Sequence, residues 1–374
     1  MELTEEQAAV RDVVREFARE EIRPTALEAD RNQEFPEDVW DGLAELDLTS
    51  LTVPEEYGGY DADPVTAAVV NEEVAYGALA VATALSVHSL ATSCIAEFGS
   101  EDVKERWLPE MADGRPVGAF ALSEPHAGSN PAEMSTEARR EGDEYVIDGE
   151  KQWITNGKRA GVYVLFAKTD RDDPESVTQF LVPGDVAGLS VGEKEEKLGL
   201  RASDTTSLTF DGVRIPAENR LTEEGRGLSA AFHILTGGRI AIAAQSVGLA
   251  QCAMDEALEY AGEREQFDQP IAEFQSIRHK LAEMATRIEA SRLLTREAAR
   301  ERASGSAGLT ASMAKYFASE TAMFVTNEAV QIHGGYGYVT EGEVERLYRD
   351  AKITEIYEGT TEIQKKVIAR HLLE

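Results

Sequence analysis

At 374 residues with 42% hydrophobic content, the chain is long enough for two or three domains and too apolar to be disordered. Its 69 acidic and 37 basic residues leave a net charge of −32, a field that repels nucleic acid and anionic lipid and so excludes both as partners. Two distant cysteines, Cys94 and Cys252, and six histidines without metal spacing exclude a disulfide framework and a zinc site. The acids are spread along the whole chain, which reads as a surface adapted to high salt rather than a docking face for a basic partner.

In chain order, the N-terminal stretch MELTEEQAAVRDVVREF is acidic and amphipathic, unlike a secretory signal or a transit peptide, and predicts a cytoplasmic protein. No window holds the ~18 uninterrupted apolar residues of a membrane span. Val10, Val13, Val14 and Phe17 stand at helical spacing, with Pro24 expected to close that helix. The Ala-rich run from Val65 to Phe98 predicts buried, closely packed helices, so residues 1–117 form a helical domain. From Ala119 the period changes. Asp148-Gly149 between two apolar runs predicts a hairpin, and VYVLFAK, TQFLV and TSLTF-DG-VRIP follow as strands, the last broken at Asp211-Gly212. Residues 118–222 are thus a compact β domain. Beyond it Phe274, Ile277, Leu281, Met284 and Ile288 step 3, 4, 3, 4, the seam of a bundle helix. Segments 306–333 and 361–373 read likewise, making 223–374 a helical bundle.

Four segments are out of keeping with their surroundings. Phe120-Ala-Leu-Ser-Glu-Pro-His-Ala-Gly-Ser129 makes a turn whose backbone N–H groups can cradle an anion or a carbonyl oxygen, although alone it is a common loop. Trp153-Ile-Thr-Asn-Gly157 offers either a core tryptophan or a flat surface with a neighbouring hydroxyl. Gln331-Ile-His-Gly-Gly335 is either a helix C-cap or a close backbone approach to a cofactor. In Ile356-Tyr-Glu-Gly-Thr-Thr-Glu362, Thr361 and Gln364 fit a capping box. Glu358 lies just outside that helix. A loop glutamate is ordinarily solvated, but beside Ile356 and Tyr357 its pKa would rise and make it a useful base.

The stretches FALSEPHAGS, KQWITNG, KLGLRASDTTSLTFDGVRIP, GGRIAIAA, EREQFDQPIAEFQ, QIHGGYGY and EIYEGTTEIQ occur in a fixed order. Through them the chain resembles the acyl-CoA dehydrogenase family over nearly its full length. The resemblance implies an α+β multidomain fold: an N-terminal helical domain, a middle β-barrel or sandwich and a C-terminal four-helix bundle. It implies FAD as cofactor, contacted by Phe120, Leu122, Ser123 and Ser129 and covered by Trp153, Ile154 and Thr155. Arg264, Phe267, Gln275, Gln331, Gly334 and Gly335 match positions that reach the FAD of a neighbouring subunit, and Thr360 and Glu362 match the last FAD contacts. Ser129, Arg239 and Gly359 match the acyl-CoA site, and Glu358 stands where the family commonly keeps its catalytic base. Gly238 excludes the subgroup that carries its base at that position. Thr236, Asp268 and Asn130 depart from the usual Asp, Gly and Asp.

The implied reaction is α,β-desaturation of an acyl-CoA thioester to trans-2-enoyl-CoA, with electrons passed to an electron-transfer flavoprotein by a homotetramer. An acyl-CoA oxidase would be expected to extend well past Glu374, and a non-catalytic, nucleic-acid-binding relative would need a basic face.

Overall fold

Thr4 accepts the N–H of Gln7 while the Gln7 side chain accepts that of Thr4, and this capping box starts α1 (Glu5–Phe17). Pro24 does not close the helix, contrary to expectation. A π-helical turn at Ala18–Ile22 absorbs the change of register, and Pro24 then lies in the first turn of α2 (Arg23–Asn32), where a missing N–H is tolerated. α3 (Glu37–Glu45), α4 (Pro64–Gly77), α5 (Leu79–Phe98) and α6 (Glu101–Ala112) complete the first helical layer. In this computed structural model residues 2–305 and 307–373 are described; Met1, Ser306 and Glu374, at the edges of expected segments, lie outside them.

The middle of the chain is one seven-stranded sheet: β1 (Val117–Ala121), β2 (Glu137–Glu141), β3 (Glu144–Thr155), β4 (Ala160–Lys168), β5 (Val177–Pro183), β6 (Leu189–Val191) and β7 (Thr205–Pro216). The order is β1-β4-β2-β3-β7-β6, with β5 also paired to β4. Neither Asp-Gly pair is a turn, which corrects the hairpin expected at Asp148-Gly149 and the break expected at Asp211-Gly212. The two pairs face each other inside the β3–β7 ladder, where the register shifts between Ile147 and Gly149 and the Gly212 N–H donates to Asp148 Oδ1 at 2.8 Å. They form a bulge that lets two long strands coil without ending. The hairpin is instead the two-residue Gly142-Asp143 turn between β2 and β3, with Gly142 at φ 69°.

α7 (Gly227–Glu263) then crosses the molecule. A two-residue ladder of β8 (Glu265–Gln266) and β9 (Gln269–Pro270) follows, then α8 (Gln275–Ala303), α9 (Gly308–His333), α10 (Glu343–Ala351) and α11 (Thr361–Leu373). α9 packs against α7, α8, α10 and α11, while α4 and α5 dock onto α7, so both helical layers share one apolar core. The approach is close enough that a Cβ at Gly248 of α7 would stand 1.9 Å from the Glu72 carbonyl oxygen of α4. By length and composition α5 and α7 could each cross a membrane, but α5 is mostly buried as a core helix and α7 is half buried.

Candidate active site

The loop between α10 and α11 is held in a conformation its sequence resists. Glu358 has φ 53° and Gly359 φ 89°. The left-handed region is unfavourable for a residue with a Cβ, so its neighbours must impose it. Three of them are visible. The Gln364 side-chain amide donates to the carbonyls of Glu358 at 3.1 Å and Gly359 at 2.9 Å. Lys315 Nζ of α9 donates to the Gly359 carbonyl at 2.8 Å. The Tyr357 hydroxyl lies 3.4 Å from both Thr83 Oγ1 and Gln245 Oε1. Gln364 is therefore not the end of a capping box begun by Thr361, as expected. Thr360 caps α11, accepting the Ile363 N–H at 3.4 Å, because the inverted backbone offers Gln364 two carbonyls instead.

Glu358 lies in a notch of α7. A Cβ at Gly238 would stand 2.8 Å from Glu358 Oε2 and 3.4 Å from Leu90 Cδ2 of α5. Burial pushes the Glu358 carboxyl up to about 7, against the opposing pull of Arg239 and Lys315. Glu358 Oε2 and Arg239 Nε are both buried without a hydrogen-bond partner.

A second wall comes from the end of β1 and the residues that follow it. Leu122 shares an apolar cluster with Leu90 of α5 and with Ala231 and Ile234 of α7; Phe120 packs beside it, its ring 4.8 Å from that of Phe166. Ser123 accepts the Gln152 N–H at 2.9 Å, which ties the segment to a second bulge in β3. There the register shifts between Lys151 and Ile154, turning Trp153 outward at φ 63° and 60% exposure. Trp153 is thus a presented surface rather than core. Ile154 is buried in the sheet and can present only backbone, Thr155 is half buried, and Ser129 lies at the exposed loop tip.

Sequence reasoning missed what holds this wall in place. Glu124 and Lys151 form a 2.8 Å ion pair, their side chains 1% and 0% exposed. Glu124 also accepts the backbone N–H and hydroxyl of both Ser135 and Thr136. Burial alone would raise its pKa, but Lys151 and these donors hold it down to about 2. Asn156, at φ 62°, donates to the carbonyls of Ala84 at 2.9 Å and Gly118 at 3.2 Å, joining the sheet to α5. The available signal was phase: Lys151 falls in step with inward-facing Tyr145 and Ile147 on β3.

The structure therefore brings Arg239, Glu358 and Gly359 together, with Thr360 and Glu362 at the adjoining start of α11, and connects this notch through Leu90 and Leu122 to the wall that carries Phe120, Ser123 and Trp153. It does not bring Arg264, Phe267, Gln275, Gln331, Gly334 and Gly335 there. Arg264 is the C-cap of α7, and from Gly238 that helix runs roughly 39 Å at 1.5 Å per residue. Arg264, Gly334 and Gly335 line a separate groove of about 540 Å³ with Tyr260, His333 and Tyr336. Phe267 lies in the adjoining β8–β9 turn, 86% exposed, Gln275 opens α8, and Gln331 is exposed in the last turn of α9.

The residues present fit a flavin on the chain's own evidence. An outward Trp153 ring stands beside a bulge, the free end of α11 carries a buried, unpartnered Thr361 hydroxyl, and a carboxylate oxygen is buried without a donor.

The chain matches the family domains "Acyl-CoA dehydrogenase, N-terminal domain" over residues 4–115, "middle domain" over 119–213 and "C-terminal domain" over 225–373. It is 45% identical to an acyl-CoA dehydrogenase of Bacillus subtilis, covering 100% of this chain and 99% of that one. It is 44% identical to the mitochondrial short-chain specific acyl-CoA dehydrogenase of Rattus norvegicus, covering 100% and 91%. Among solved structures, butyryl-CoA dehydrogenase of Megasphaera elsdenii superposes with a TM-score of 0.97 at 40% identity over 100% of both chains. A chain in a structure reported as the electron transferring flavoprotein of Acidaminococcus fermentans superposes at 0.98, with 39% identity over 100% of this chain and 99% of that one. A Bacillus anthracis acyl-CoA dehydrogenase complexed with FAD superposes at 0.94, with 34% identity over 100% and 67%. Family domains along nearly the whole sequence, and relatives of equal length and the same fold, make this chain a member of the acyl-CoA dehydrogenase family.

Proposed function

We propose that the chain binds FAD and desaturates the Cα–Cβ bond of a short-chain acyl-CoA to the trans-2-enoyl-CoA, with an electron-transfer flavoprotein as acceptor. The observation that carries this reading is Glu358, a carboxylate whose buried oxygen has no partner and whose pKa is pushed up to about 7. Such a group is ionised often enough at neutral pH to act and basic enough to take a weakly acidic α-proton. The Glu358 backbone N–H would donate to the thioester oxygen as enolate charge develops; one such aimed donor typically contributes about 3 kcal/mol. Trp153 and Thr155 would cover the flavin ring, with Phe120, Leu122 and Ser123 beneath it and Thr360 and Glu362 at its edge. Arg239, Ser129 and Gly359 would hold the acyl-CoA. When bound, FAD supplies the acceptor for the hydride that leaves Cβ.

Short chains are favoured because Tyr357, the residue beside the base, heads a polar network: Thr83, Tyr357, Gln245 and Asn71 are linked by hydrogen bonds. A long acyl chain would have to bury methylenes against those groups. The short-chain specific and butyryl-CoA relatives support the same class, and the flavoprotein structure supports the acceptor. The test is an anaerobic titration of flavin absorbance with short, medium, long and branched acyl-CoAs. Bleaching by the short esters is expected and bleaching only by long ones would overturn the chain-length reading. Glu358→Gln should keep FAD and lose bleaching; rapid bleaching by that variant would remove Glu358 as the base.

A further inference from the structure

Lys315 lies in the first third of α9 with its side chain fully buried. A buried ammonium is costly and normally stands against a carboxylate. Among the described residues Lys315 forms no ion pair. Its hydrogen bond runs to the Gly359 carbonyl at 2.8 Å, next to the carboxylate treated above as the base. The charged groups that face it are Glu358, Glu355, Arg239 and Glu362, with Glu358 exerting the largest pull. Glu358 is faced in turn by Arg239 from α7 and Lys315 from α9. Two elements thus each direct one cation at a carboxylate lodged in a loop of unfavourable backbone geometry.

A purely structural contact could be made differently. The Gly359 carbonyl already receives the Gln364 amide at 2.9 Å, so a second donor is not needed to satisfy it. An apolar side chain of similar length would fill the space without the desolvation cost. What the apolar chain would lack is charge.

We propose that Lys315 is a positioning residue for the reaction: its ammonium clamps the Gly359 carbonyl, holding Glu358 in its left-handed conformation against Gly238, and its charge keeps the buried Glu358 able to ionise. The proposal rests on Glu358 being the base. Burial lowers the Lys315 pKa to about 8, so the ammonium is present through the neutral range in which Glu358 titrates.

The test uses the FAD-loaded protein with ¹³C-carboxyl-labelled glutamate, the Glu358 signal being the one lost in Glu358→Gln. Its titration midpoint is followed in wild type, Lys315→Met, Lys315→Gln and Lys315→Arg, beside the pH profile of single-turnover flavin reduction. In Lys315→Met the midpoint and the acid limb should both move up by about one unit, since a nearby opposite charge has been removed. KM for the thioester should stay within about twofold while the reduction rate below neutrality falls about tenfold, as one unit of pKa dictates. Lys315→Arg should return both midpoints close to wild type. If Lys315→Met does not fold, Lys315→Gln keeps a donor for Gly359 and removes the charge, and it should show the same upward shift. An unmoved midpoint in a folded neutral variant, or Lys315→Arg behaving as Lys315→Met, would overturn the proposal. The carboxyl titration reads the coupling whether or not Glu358 is the base, so its failure is distinct from continued bleaching in Glu358→Gln.

Discussion

At the scale of single residues, the site depends on an expensive arrangement: a carboxyl taken out of water and given no hydrogen-bond donor on Oε2. Two pH effects follow from its pKa near 7, and they have opposite signs. Proton abstraction needs the carboxylate, so single-turnover flavin reduction should rise about tenfold per unit toward pH 7 and level off above it. Stability runs the other way. A folded pKa raised above the ordinary 4.5 contributes stability that is complete below 4.5 and is lost as pH rises through about 7. Glu358→Gln keeps the neutral form at every pH, so its melting temperature should exceed that of wild type at pH 8 and match it near pH 4.5. Equal melting temperatures at pH 8 would mean the carboxylate is better solvated than its burial implies. Gly238 provides an independent probe. Gly238→Ala gains about 1 kcal/mol of helix propensity in the interior of α7, but its Cβ would stand 2.8 Å from Glu358 Oε2. The expected outcome is a folded, FAD-binding protein whose flavin reduction is slowed at least tenfold with little change in thermal stability.

At the scale of elements, two identical dipeptides show how context decides the cost of a glycine. Gly149 and Gly212 both follow Asp, both have positive φ, and they belong to the same bulge. A Cβ on Gly212 would meet nothing within 4 Å, whereas one on Gly149 would stand 2.7 Å from the Thr136 Cα and 2.6 Å from its hydroxyl. Thr136 is itself held by the buried Glu124. Gly149→Ala should therefore cost about 2–3 kcal/mol, as overpacking against backbone does, while Gly212→Asn should cost well under 1 kcal/mol because Asn tolerates the left-handed region. Urea unfolding of the two variants checks the contrast. The same bulged strand carries Trp153, so Gly149→Ala should also weaken FAD retention during gel filtration.

At the scale of the molecule, α7 is the long axis of the design. Glu358 lies near its Gly238, and the aromatic groove of Tyr260, His333 and Tyr336 lies at its far end. One chain cannot bring both to a single flavin when roughly 39 Å of helix separates them. Phe267 and Tyr338, each 86% exposed, are large apolar side chains left in water beside that groove, a pattern that marks an interaction face. We expect a second subunit there, receiving its flavin partly from Arg264, Gln275 and Gln331. Phe267→Asp should shift the protein toward smaller species by light scattering, and those species should have lost FAD absorbance. A stable monomer that retains stoichiometric FAD would refute the shared site.

The family and the succession of helices, sheet and bundle were legible in the sequence. Periodicity and the order of short stretches such as QIHGGYGY and EIYEGTTEIQ are one-dimensional properties. What the tertiary structure decided was how local signals are overruled. Asp148-Gly149 reads as a turn, but it lies opposite a second Asp-Gly and becomes a bulge. Pro24 reads as a stop, but a π-turn before it resets the register. Gln364 reads as part of a cap, but left-handed backbone at Glu358 draws it to two carbonyls. Lys151 and Lys315 are buried because of which strand or helix faces them. The sequence by itself determined which chemical groups are available and in what order. Only the packing of α7 and α9 around the loop determined that a glutamate there would lose its water and have its pKa raised, because solvation depends on neighbours distant in sequence.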